Sequence, residues 1–120
     1  MQDRWYEISV SMDDEVPGNV VHQDLRNGMY VGPHTRPAGY PGAAQIESRE
    51  LAEAYRTALL PIFERRYGEG VELEVTESVG EIRPKHREKI LKHSSIIRAR
   101  LATGNFAPNV RVVPLAQDEV

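Results

Sequence analysis

Lys85, Lys89, Lys92 and Arg100 follow one another at intervals close to whole turns of a 3.6-residue helix. Wound as a helix, that spacing gathers four cations within about 80° of one side. Such a face can neutralise phosphates, with binding that weakens steeply as salt releases fewer counterions. It is also the composition of an ordinary solvated helix surface. Ile96 falls in the middle of the same arc, at about 240° on a wheel that starts from Ile90. Exposed there, it would mark a place where a second surface docks, either a protein partner or another copy of the chain.

A second group with chemical potential is His34, Arg36 and Tyr40, in a stretch from Gly32 to Gly42 that carries three Gly and three Pro in eleven residues. Such a stretch cannot be regular helix or central strand, and long loops of this kind often carry function. An imidazole, a guanidinium and a phenol on one loop suit a small-ligand site or an acid–base centre, provided they converge on a concave surface. His22 and Asp24 lie just upstream as a single His-x-Asp.

His86 and His93 stand seven residues apart, two turns or about 10 Å, too far for one zinc at about 2 Å from each without a third element. No metal site is expected. Asp13, Asp14 and Glu15 are adjacent and lack the alternating ligands of a calcium loop, so they read as a solvated turn. The chain has no cysteine, which removes disulfides, thiolate nucleophiles and thiolate metal sites. GxSxG, P-loop, GxGxxG and HExxH signatures are all missing. No cofactor is expected, and the missing motifs favour a noncatalytic role over an enzyme.

The elements that must position these groups are legible from periodicity. Arg4 to Met12 alternates, with Tyr6, Ile8, Val10 and Met12 on one side and Glu7, Ser9 and Ser11 on the other, and predicts a half-buried strand. Pro17-Gly18-Asn19 then turns the chain, which returns through Val20–Val21 or through Met29–Val31. Ser48 is a suitable N-cap for an amphipathic helix to about Tyr67, stopped by Gly68 and with Pro61 expected to kink it. Val71 to Glu77 alternates again as a strand. A second helix runs from Pro84 to about Ala102, with Ile90, Leu91, Ser94, Ile97 and Leu101 as its buried stripe and Arg87 and Arg98 beside it. Val110 to Pro114 reads as a last edge strand, parallel to the strand before the second helix.

This order predicts one α+β domain over residues 1–120, a two-layer sandwich with a small mixed sheet of about four strands and two helices on one face. A Gly/Pro-rich loop spans 32–44, and 116–120 reads as a frayed acidic tail. The 120 residues suffice for a single core, at 40% hydrophobic and 28% charged. Charge is uneven: Ile82 to Gly104 carries +6 and the remainder −9, for a net −3. With no apolar targeting segment at the first residues, no run of roughly 20 apolar residues and no cysteine, a cytoplasmic protein without a membrane partner is expected.

Three functions are compatible with these residues. One is a noncatalytic protein-interaction or self-association module, a homo-oligomer using Lys85, Lys89, Lys92, Ile96 and Arg100 together with the long loop. Another is a nucleic-acid accessory protein that contacts phosphates through the same helix. The third is a small enzyme or ligand binder at His34, Arg36 and Tyr40.

Overall fold

Two long strands carry the sheet because their apolar residues recur every second position and meet across the ladder. The computed structural model describes residues 3–12 and 29–106. Strand β1 (Asp3–Met12) pairs antiparallel with β4 (Val71–Gly80), setting Ile8 opposite Val75 and Val10 opposite Leu73 on one face. The other edge of β1 pairs antiparallel with β2 (Met29–Val31), which pairs in turn with the two-residue β3 (Pro37–Ala38). The sheet order is β3-β2-β1-β4, antiparallel throughout among the described residues. Of the two expected return paths for the first strand, Met29–Val31 pairs with β1, and Val20–Val21 lie outside the described residues. The expected turn at 13–19 and strand at 110–114, with the parallel pairing of that strand, lie outside the described residues, as does the tail.

Where β2 ends, the segment 43–48 takes over the same edge of β1. Ala44 N–H donates to the Val31 carbonyl at 2.9 Å, and Tyr6 and Ile46 exchange two backbone hydrogen bonds, each 2.8 Å. Ile46, Ala43 and Ala44 are fully buried there.

Helix α1 (Arg49–Tyr67) starts at Ser48, whose extended backbone lets its Oγ accept from the Leu51 N–H at 3.1 Å. Ala52, Tyr55, Leu59 and Phe63 form its buried side and join Ile8, Val10, Val71 and Leu73 in the core. Pro61 does not divide the helix, which runs as one element of 19 residues. Thr57 and Pro61 are both exposed, so the carbonyl that loses its N–H partner at a helical proline faces water. Gly68 ends the helix at φ 101°, a conformation that suits glycine.

Helix α2 (Pro84–Thr103) begins with proline, whose missing donor is not needed there, and stops at Gly104 with φ 71°. Its buried residues are Ile90, Ser94 and Ile97, with His86, His93, Ile96, Arg100 and Leu101 half-buried. Two expectations need correction. Leu91 is 52% exposed instead of lying in the stripe, and Ile96 is half-buried instead of exposed. The buried arc is therefore turned toward the histidines, because α2 packs on α1 and on the 43–47 segment. The α+β architecture with a four-stranded sheet and two helices stands as expected. Among the described residues no helix is long and apolar enough to cross a membrane.

Candidate functional site

Gln45 is the residue on which the site is built, and its partners come from two separate elements, β1 and α2. Its backbone N–H donates to His93 Nδ1 at 2.9 Å, and its side-chain Oε1 accepts from His86 Nε2 at 2.8 Å. Its Nε2 donates to Glu7 Oε2 at 2.7 Å. Next to it, Glu47 N–H donates to Ser94 Oγ at 3.1 Å, and the Glu47 carboxylate pairs with Arg98. The Trp5 ring meets His86 edge-on at 4.5 Å. Glu7 corrects the expectation of an outward polar side on β1: it is only 2% exposed, because Gln45 and α2 cover that side of the strand. The two imidazoles thus hold structural hydrogen bonds, one to a side chain and one to the backbone.

Beyond this network α2 presents its cations to a groove of about 730 Å³, lined among the described residues by Lys85, His86, Glu88, Lys89, Lys92 and His93. Lys85, Lys89 and Lys92 are exposed, and among the described residues neither they nor Arg36 and Arg100 form an ion pair. Arg87 and Arg98 differ, since they pair with Asp3 and Glu47. No group of three or more potential metal-ligating side chains gathers among the described residues.

The loop from Gly32 delivers two of its three expected residues to this cationic surface. His34 is pushed below the ordinary histidine value by partial desolvation and by the charges of Arg100, Arg36 and Lys92. His93 is pushed down by burial and by Lys89, Lys92 and His34. These mutual effects place His34, Arg36, Lys89, Lys92, His93 and Arg100 in one electrostatic neighbourhood. The two candidate regions of the sequence are therefore within electrostatic reach of each other. Tyr40 stands apart, 65% exposed with its ring against Tyr30 at 5.7 Å. Thr35 is fixed at φ 61°, with its hydroxyl 3.1 Å from the Phe106 carbonyl oxygen. His22, Asp24 and Asp13–Glu15 lie outside the described residues.

The histidines give this site a pH signature with a definite sign. Both have folded-state values below the unfolded value of 6.5, so the unfolded chain takes up protons first as pH falls. Their neutral forms leave stability intact above that value, and stability drains away as pH drops below it. Thermal denaturation should show a midpoint that declines through this range. His93→Gln, whose Oε1 still accepts from Gln45 N–H, should make the decline shallower; an unchanged slope counts against His93.

Gln45 gives no signal in the sequence: Ala43-Ala44-Gln45 has no periodicity, and its partners lie 38, 41 and 48 residues away. Comparison of the whole chain with protein-family models, curated proteins and solved structures finds no match, so the chemistry of the site rests on its own residues.

Proposed function

We propose that the protein is a noncatalytic binding module for a small ligand that carries phosphate groups, held in the groove that Lys85, Lys89 and Lys92 of α2 line. The observation that carries this reading is the row of Lys85, Lys89 and Lys92 along one groove, with no carboxylate paired to these lysines or to Arg36 and Arg100 among the described residues. Like charges held together repel one another even with Glu88 on the same wall, and a multivalent anion removes that cost. The groove volume also falls within the roughly 300–1,000 Å³ of small-molecule sites. His86 and His93 are already committed to Gln45, which argues for binding over acid–base chemistry.

A second reading, nucleic-acid phosphate, draws support from the length of the cationic row, which from Lys85 to Arg100 spans about 23 Å of helix. The protein-docking reading loses its apolar anchor, because Ile96 is half-buried.

The test is calorimetric titration with inorganic pyrophosphate and with a single-stranded oligonucleotide. Saturable one-to-one binding of pyrophosphate that the oligonucleotide does not outcompete supports the small-ligand reading. Binding of the oligonucleotide alone transfers the site to nucleic acid, and binding of neither removes both readings. Sulfate, whose charge is constant over the range in which the histidines titrate, should bind more tightly as pH falls, since each imidazolium formed adds to the field.

A further inference from the structure

We infer that Glu88 makes this groove selective for a phosphate ester that also carries neighbouring hydroxyl groups, as a sugar phosphate does; the inference rests on the anion-binding reading above. Glu88 lines the groove beside Lys85, Lys89 and Lys92 and is the one carboxylate of that wall among the described residues. It stands three residues after Lys85 and four before Lys92, the two spacings at which a carboxylate and an ammonium meet on a helix. Yet it pairs with neither of them, nor with any other cation among the described residues. The carboxylate and the ammonium groups are both left with unused hydrogen-bonding capacity in the groove.

The rest of the wall supplies donors. Lysine has no acceptor, and the tautomers of the two imidazoles are set by Gln45. Gln45 N–H donates to His93 Nδ1, so the neutral ring carries its proton on Nε2, which has no partner among the described residues. The buried Glu7 carboxylate takes the Gln45 Nε2 donor, which turns Oε1 to His86 and requires the proton of that ring on Nε2. The wall thus offers several N–H donors and one charged acceptor. A bare polyphosphate satisfies the donors but brings its charge against Glu88. A phosphate with adjacent hydroxyls satisfies both: its oxygens take the N–H groups of Lys89, Lys92 and His93, and two neighbouring O–H groups donate to the two oxygens of Glu88. An ammonium in place of the hydroxyls is disfavoured, since three lysines outnumber one carboxylate. Along the helix Glu88 lies about 4.5 Å from Lys85 and about 6 Å from Lys92, a span that one pentose phosphate covers.

Calorimetric titration of wild type and Glu88→Ala with inorganic phosphate and with ribose 5-phosphate tests the assignment. Glu88 is exposed on a helix that alanine favours, so the variant should melt close to wild type. Wild type should bind ribose 5-phosphate about tenfold more tightly than inorganic phosphate, the scale of hydrogen bonds to a charged group. Glu88→Ala should erase that preference from both ends: ribose 5-phosphate weakens as its acceptor is lost, and inorganic phosphate tightens as a repulsion is removed. Both ligands tightening together in the variant would show that Glu88 only repels anions and would overturn the inference. A wild type that binds the two alike overturns it as well, and in either case pyrophosphate binding leaves the groove standing. Failure of wild type to bind both pyrophosphate and ribose 5-phosphate removes the groove and the role of Glu88 together.

Discussion

The double reversal Lys89→Glu with Lys92→Glu should reduce pyrophosphate affinity by about 100-fold or more, since each charge-assisted contact contributes about 1.5–3 kcal/mol. The same change should also remove most of the salt dependence of binding, because the groups being screened are gone. Both side chains are exposed and unpaired among the described residues, so the melting temperature should move little or rise slightly as repulsion with His93 is relieved. Titration at low and physiological salt, beside a melting curve, measures both effects. Undiminished affinity in the folded double variant would place the ligand elsewhere.

The largest stability effect is expected at Gln45. Gln45→Leu leaves the Glu7 carboxylate buried with no donor among the described residues and deprives His86 of its acceptor. Stranding a buried charged group costs about 3 kcal/mol, or about 10 °C in a domain of this size. Adding Glu7→Leu removes the stranded group itself, and the double variant should recover most of the loss. Urea denaturation of the two single variants and the double variant gives the coupling energy. Losses that simply add would show that Glu7 and Gln45 do not depend on one another.

Much of the fold was legible because period-two and period-3.6 patterns are local. The strand at Arg4–Met12, the strand beginning at Val71, the Ser48 cap and the Pro84 and Gly104 boundaries all follow from neighbours within one or two turns. What escaped was non-local. A wheel for α2 phased on its apolar residues puts Leu91 inside and Ile96 outside. Its true phase is set by Gln45 and Glu47, and nothing near residue 90 reports on them. Glu7 sits in an alternating strand where a carboxylate ordinarily faces water, and only the later arrival of Gln45 makes burial tolerable. The candidate site was half legible. Its cations were visible in the spacing of the lysines and in the composition of the loop, but their convergence depends on how the loop folds back. Pro37–Ala38 was too short to show any period.

The way α2 is fastened has a further consequence. A helix held by an oily stripe can rotate or slide by a residue and keep much of its attraction. Here Gln45 N–H seats on His93, Glu47 N–H on Ser94 and the Gln45 amide on His86, like the pins of a lock. Any slip along or about the helix axis breaks all three at once, so the helix has one admissible register. Because the lysines are carried by that same helix, their spacing along the groove is set by the contacts that His86, His93 and Ser94 make with the 43–47 segment. The molecule therefore presents a ligand with charges at fixed intervals, on a rigid ruler.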